Sequence, residues 1–285
     1  MCFPWERVPE GERERRRYAA PATNLGLGKS RFWRLLTRLD DRLPEAPRVC
    51  DFGAYPGTTL RLLRQLFGYS PADLFAAGFA FDDDFVQALS ALKVPLLEME
   101  FDVRRPLTAE AHILNFPLME YGGPFDIAIC TEVFEHQMYP LSLLVGLNRF
   151  LNPGGTLFLT TNSASFLGGV LKLAVGRHDV EELARSHVLR DYPWRPHIRL
   201  YLREEIRQLL EMTGFDLLEC DYFDNGNVYK GVKGAAISIL RHVAGSIPHL
   251  RSHIWVTAVR VRDPEPTAKR ALRTSLDRYG IKLIS

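Results

Sequence analysis

Two short stretches carry side chains whose types and spacing could do chemistry. In VCDFGAYPGTTLRLL an apolar run enters Asp51, Gly53 and Gly57, with Ala54 between the glycines, and then an amphipathic helical pattern. A glycine at such a turn lets the backbone approach a ligand with no Cβ in the way, and the helix that follows presents free N–H groups to an electronegative moiety. A nicotinamide dinucleotide site would show G-x-G-x-x-G. This turn reads G-A-Y-P-G, with Tyr55 and Pro56 inside it, so a pyrophosphate cradle is the weaker reading. A purely structural strand-to-helix turn also favours glycine, so the loop alone does not decide the matter. The second stretch, Glu132-Val133-Phe134-Glu135-His136, sets two carboxylates and an imidazole side by side. A neutral imidazole suits a general base, which makes His136 the candidate that takes an acceptor proton, with Glu135 as the adjacent catalytic carboxylate. The plainer reading is that the pair caps and orders a loop.

The elements that must position these residues are legible from periodicity. β-type runs at RVCDFG (48–53), LFAAGFA (74–80), PLLEMEF (95–101), FDIAIC (125–130) and GTLFLTT (155–161) alternate with helical patterns near 58–67, 84–92 and 140–151. Strand-helix alternation of this kind predicts βαβ crossovers and a doubly wound, mostly parallel sheet. After an irregular insert come a helix, REEIRQLLEMTG, and two further β-type runs, FDLLECD (215–221) and HIWVTAVRV (253–261), which are expected to pair antiparallel at one edge of a seven-stranded sheet. The fold class is therefore α/β and Rossmann-like, with an antiparallel edge strand and a helical lid insert. Three regions follow: an N-terminal arm and helix (1–45), the main domain (46–262, lid about 163–200) and a charged C-terminal tail (263–285).

Bulk properties exclude more than they assign. Thirty-six basic residues against 34 acidic ones give a net charge of +2, so no whole-surface nucleic-acid binder and no acidic solvating tail is indicated. The four cysteines lack C-x-x-C spacing, and Cys50 and Cys130 fall in apolar strands, which fits free thiols in a reducing cytoplasm. Residues 1–12 lack the apolar core of a secretory signal. Two later stretches, 164–176 and 235–250, are apolar but too short or too basic to span a bilayer; at most they touch a membrane or a greasy substrate. Arg31, Arg34 and Arg38 recur at helical spacing in SRFWRLLTRLDDRL and read as a solvated face. LGLGKS (25–30) imitates a phosphate-binding loop without the preceding strand, and reads as a turn entering that helix.

Taken in order, these blocks resemble class I S-adenosylmethionine-dependent methyltransferases over roughly residues 48–261. DFGAYPGTT is similar to the family's first motif. Phe101-Asp102-Val103 is similar to its acidic adenine position, and Pro124 to Ser163 resembles its fourth and fifth blocks with the R-x-L-x-P-G-G turn from Arg149 to Gly155. The resemblance implies that Gly53, Ala54 and Gly57 give backbone access to the methionyl part and that Asp51 anchors the loop or the ammonium. It implies further that Asp102 and Val103 face adenine, and that Cys130, Thr131 and Glu132 line the floor. At the end of the second strand, where the family offers an acid for the ribose, the chain has Ala80 followed by Phe81; Asp82 or Asp83 is the expected replacement, unless these aspartates only begin a helix.

The E-x-x-E-H pattern with His197 is also similar to a constellation that binds a divalent metal in ubiquinone-pathway O-methyltransferases and small-RNA 2′-O-methyltransferases. The resemblance thus implies a metal set of Glu132, Glu135, His136 and His197 that would acidify an acceptor hydroxyl. The insert 163–200 lies where the family places its acceptor lid, with Phe166, Leu167, Tyr192, Trp194, Arg195 and His197 as substrate-contacting candidates. The expectation is O-methylation of a small-molecule, lipid-linked or glycan acceptor. The alternatives are a cofactor-binding protein without transferase activity and an RNA 2′-O-methyltransferase.

Overall fold

The computed structural model describes residues 31, 32, 34, 35, 38, 39, 47–67, 69–70, 73–78, 81, 83–98, 124–137, 139–177, 197–224 and 246–264. Seven strands form one sheet in the order β3-β2-β1-β4-β5-β7-β6. They are β1 (Val49–Phe52), β2 (Leu74–Gly78), β3 (Leu96–Glu98), β4 (Phe125–Thr131), β5 (Leu151–Asn162), β6 (Phe215–Phe223) and β7 (His253–Arg260). β1 pairs parallel with both β2 and β4, so the chain reverses direction of travel across the sheet between them. That reversal opens a crevice at the carboxyl ends of β1 and β4, where ligands bind in doubly wound folds. β7 runs antiparallel to β5 on one side and to β6 on the other, so the antiparallel strand lies one place in from the edge. Local patterning cannot reveal that insertion, because it depends on which strand β7 selects as neighbour.

Alternation along the strands divides the core in two. Cys50, Ala128, Cys130, Leu157, Leu159, Val256 and Ala258 face one side, under helices α3 (Pro140–Phe150) and α5 (Arg203–Met212), which contribute Leu143, Leu147, Ile206 and Leu210. Val49, Ile127, Ile129, Phe158 and Trp255 face the other. There they meet Leu60 and Leu63 of α1 (Thr58–Phe67), Phe85 and Leu89 of α2 (Asp83–Leu92), and Phe32, Leu35 and Leu39 of an N-terminal helix. Both faces of the central parallel strands are thus covered, as parallel sheets require. A buried Asn148 secures the far end of α3 by donating Nδ2 hydrogen bonds to the carbonyls of Thr213 (2.8 Å) and Arg262 (3.0 Å).

The arginine face of the N-terminal helix is not solvated as its periodicity suggests. Arg38 makes a two-pronged contact with Glu219 (2.7 and 2.5 Å), and Arg34 lies 3.5 Å from Asp221 and 3.8 Å from Glu219. The acids belong to β6, more than 180 residues downstream, so no local pattern could show that these cations have partners. The correction matters for the site, because the same helix carries Arg31 into it.

The lid helix α4 (Leu167–Ala174) follows β5. Ala80, Asp82, Asp102, Val103, Tyr192, Trp194 and Arg195, together with the phosphate-loop mimic at 25–30, lie outside the described residues. Among the described residues, no helix is long and apolar enough to cross a membrane.

Candidate functional site

The crevice is built first from the turn after β1. Gly53 has φ +76° and Gly57 φ +81°, backbone that L side chains rarely adopt, and the Gly53 N–H donates to the Ala77 carbonyl at 2.8 Å. A Cβ built on Gly53 would fall 2.3 Å from Val133 Cγ2, so glycine is required here by the loop after β4 as well as by its own φ. Asp51 is almost fully buried at the end of β1. Burial pushes its carboxyl up to about 7, against the opposing pull of the Arg31 guanidinium and a Thr59 hydrogen bond. Phe81 stacks on Phe85 with centroids 4.8 Å apart, and Tyr55 packs on the same ring at 5.5 Å, forming an aromatic wall beyond β2. Asp83 and Asp84 are exposed in the first turn of α2, which is the role of helix-starting acids.

The floor after β4 holds two glutamates in different surroundings. Glu132 has φ 57°, a left-handed conformation unusual for a side chain of its size and common where function outranks local comfort. Its Oε2 lies 3.1 Å from His253 Nε2 and 3.8 Å from Arg31 Nη1, and its Oε1 accepts from Thr160 Oγ1 at 2.7 Å. Burial alone would raise this carboxyl; His253, Arg31 and Thr160 together hold it well below the usual carboxylate range. His253 is raised in turn by the Glu132 charge, against its own burial. Its Nδ1 meets Ser252 Oγ at 2.7 Å, and that hydroxyl reaches Asp224 Oδ1 at 3.1 Å. With the Ser252 proton given to Asp224 and both ring nitrogens facing acceptors, the imidazolium form of His253 satisfies the chain.

Glu135 is wholly buried in a single 3-10 turn, Phe134–His136. Thr161 Oγ1 donates to its Oε2 at 2.9 Å and Asn162 Nδ2 to its Oε1 at 2.8 Å. Burial and the neighbouring Glu132 charge push it up to about 7, with His197 pulling the other way. The Glu135 carbonyl accepts from the N–H groups of Ile198 (3.0 Å) and Arg199 (3.3 Å), and this anchors the segment that carries His197. His197 accordingly meets His136 ring to ring, centroids 4.7 Å apart and edge-on.

The structure therefore joins Glu135, His136 and His197, whose donor atoms lie within 4.8 Å of one another, and turns Glu132 away from them toward His253 and Arg31. The fourth member of the expected metal set is thus already committed, and both carboxylate oxygens of Glu135 accept hydrogen bonds. The arrangement as it stands does not make the four-ligand centre that the resemblance implies, and no step below is routed through a metal. The cofactor residues fit better. Val133 already fills the space where a Gly53 Cβ would stand, which fixes the turn, and Arg31 carries a buried Nε with no hydrogen-bond partner among the described residues. Thr131 is half-buried beside the crevice, Ala54 is buried in the turn, and the Cys130 thiol is wholly buried in the core, so that position can offer the crevice its backbone alone.

Beside this floor is a pocket lined by Asn162, Ser163, Phe166, His197, Leu200, Ser252 and His253. It lies between the end of β5, the start of β7 and the lid. Sequence reasoning found Phe166 and His197 but missed Arg31, the Thr160-Thr161-Asn162 run and His253. Three adjacent polar residues closing an otherwise apolar strand were the available signal for the run.

Comparison with known proteins identifies the family and the fold. The profile of a family described as a methyltransferase domain matches residues 13–220. The ubiquinone biosynthesis O-methyltransferase of Marinobacter nauticus is 28% identical over 164 residues, 54% of this chain and 62% of that protein. Its counterpart in Xanthomonas campestris is 29% identical over 96 residues, 33% of this chain and 40% of that protein. The chain thus matches less than two thirds of the length of these relatives. A SAM-dependent methyltransferase of Archaeoglobus fulgidus shares the fold at a TM-score of 0.51 and 12% identity, covering 88% of this chain and all of that one.

Proposed function

We propose, for a chain that belongs to the methyltransferase-domain family of class I, S-adenosylmethionine-dependent enzymes, that it methylates a hydroxyl oxygen of a small-molecule, lipid-linked or glycan acceptor. S-adenosylmethionine is the methyl donor and supplies, when bound, a sulfonium methyl that needs no further activation. The protein's share of the work is then to hold, align and dry the site and to manage one proton.

Asp51, Gly53, Ala54, Gly57 and Arg31 would hold the amino-acid end of the donor, Phe81 its adenosine side, and Thr131 and Glu132 the floor. The observation that carries the choice of oxygen is the imidazole pair at the pocket. His197 stands in the pocket wall with His136 against it, while the third imidazole, His253, is committed to Glu132. The acceptor proton passes to the His136–His197 pair, Glu135 positions that pair through its backbone carbonyl and buried carboxyl, and Phe166 and Leu200 exclude water. The two relatives above, both O-methyltransferases by name, support the same acceptor atom.

The test is a labelled-methyl transfer assay over a panel of phenols, catechols and sugar hydroxyls, with mass-spectrometric location of the methyl group. O-methylation that falls about a hundredfold in kcat on His197→Ala or His136→Ala, with unchanged S-adenosylhomocysteine affinity, supports the reading. Transfer to nitrogen or carbon, or full turnover in both variants, contradicts it.

A further inference from the structure

We infer that the lid face is a membrane-surface docking site, pressed onto a bilayer carrying anionic headgroups so that an acceptor with a lipid tail reaches the pocket from the membrane. The last clause rests on the transferase reading; the docking itself does not.

The inference begins with exposure. On and just after α4, Val170, Leu171, Leu173 and Val175 are all exposed, Leu173 at 68% and Val175 at 72%. A run of exposed apolar side chains on one short helix is unusual on a soluble surface, where single apolar residues are the norm. Ile247, also exposed, precedes the turn Pro248–Leu250, and the Ser165 hydroxyl donates to the His249 carbonyl at 2.5 Å. Ser163 N–H likewise donates to the Ser252 carbonyl at 2.9 Å. The fold has therefore set the ends of two apolar stretches side by side, although they lie about eighty residues apart in the chain.

Charge selects the occupant. The described stretches Tyr139 to Arg177 and Ser246 to Arg262 contain no Asp or Glu. The charged side chains on the described rim are Lys172, Arg177 and Arg251, with a single carboxylate, Asp224, held by the Ser252 N–H and hydroxyl. The carboxylates that follow in the sequence, Asp179, Glu181 and Glu182, lie outside the described residues. An apolar helix face with cations around it fits an anionic membrane interface, where basic residues near the surface are drawn to the headgroups. A second copy of this chain would bring an equally basic rim against the first. The exposed apolar side chains of this face among the described residues are also well short of the about 20–30 residues per partner that a stable protein interface uses. The pocket with Phe166 opens directly beside this face, so a membrane-anchored acceptor need not leave the bilayer.

The experiment is vesicle co-sedimentation of the full chain without cofactor, using phosphatidylcholine vesicles and the same vesicles with phosphatidylglycerol. Binding to the anionic vesicles that weakens with salt, falls at least tenfold in the double variant Leu173→Glu, Val175→Glu and falls about fivefold in Lys172→Glu supports the proposal. No binding of the wild-type chain, or equal binding of the double variant, overturns it. So does a wild-type dimer that the double variant splits without any change in vesicle binding. Circular dichroism checks that each variant is folded, and the same samples are then titrated with S-adenosylhomocysteine. The titration separates the two readings, since vesicle binding without ligand binding would leave docking standing and remove the transferase reading.

Discussion

His253 Nε2 lies 3.1 Å from Glu132 Oε2, joining the first residue of β7 to the residue that follows β4. The contact locks the antiparallel strand to the crevice floor, and both partners are largely buried, at 10% and 18% side-chain exposure. Two consequences follow for stability and for the site.

Breaking this pair should be costly. Glu132 is held below its usual range, so its contribution is present above about pH 4.3 and fades as pH falls. His253 is raised, so its contribution is full below about pH 6.5 and is lost as pH rises through its higher folded value. The pair therefore stabilises most between those limits. Glu132→Gln should cost about 3 kcal/mol in urea unfolding at pH 6 and clearly less at pH 9. A cost that is the same at both pH values would refute the pairing.

The Gly53 turn gives a sharper steric prediction. Gly53→Ala forces both a 2.3 Å approach to Val133 and a strained φ, and should abolish S-adenosylhomocysteine binding in calorimetry. Adding Val133→Ala removes the clash but leaves the φ strain, so the double variant should recover only part of the affinity. Wild-type affinity in Gly53→Ala would remove this turn from the site.

Asp51 should make binding depend on pH. Its folded carboxyl is raised to about 7 by burial, with Arg31, Thr59, Cys50 and Cys130 as its titratable or hydrogen-bonding surroundings. A raised acid stabilises the fold below its ordinary pKa, and that stability is lost as pH climbs through about 7. An ammonium group on the ligand favours the ionised form. Affinity should therefore rise by up to about tenfold from pH 6 to pH 8, and Asp51→Asn should flatten the slope. A slope unchanged in that variant would assign the effect to another group.

The N-terminal helix should behave as part of the site and not as a dispensable arm. Leu35 is fully buried, and Leu35→Ala should cost about 3 kcal/mol. Arg38→Ala should cost about 1 kcal/mol, since that side chain is about a third exposed. Both should weaken S-adenosylhomocysteine binding as well, because they loosen the helix that delivers Arg31 to Glu132. Unfolding curves and titration on the same variants check this; loss of stability with intact affinity would uncouple the helix from the crevice.

The strands were legible as short, nearly continuous apolar runs, the pattern of strands buried on both faces: Val49 and Cys50, Ile127 and Ala128, and Phe158 and Leu159 go to opposite, equally buried sides. The turn after β1 was legible as a candidate ligand site because Gly53 and Gly57 stand between an apolar strand and a helix, a spacing that a purely structural turn would also use. What escaped was set by tertiary pairing. Arg34 and Arg38 find acids on β6, His253 finds Glu132, and Thr161 and Asn162 find Glu135, at separations of 26 residues or more. Each of these residues looks ordinary in its own window, and only the sheet order brings it to the crevice.

The most direct test is calorimetric titration of the purified chain with S-adenosylhomocysteine, alongside NAD and NADP under identical conditions. Saturable binding of S-adenosylhomocysteine alone, lost in Gly53→Ala, is the predicted result. A folded protein that binds none of the three, or one that binds a dinucleotide instead, would contradict the assignment of this crevice.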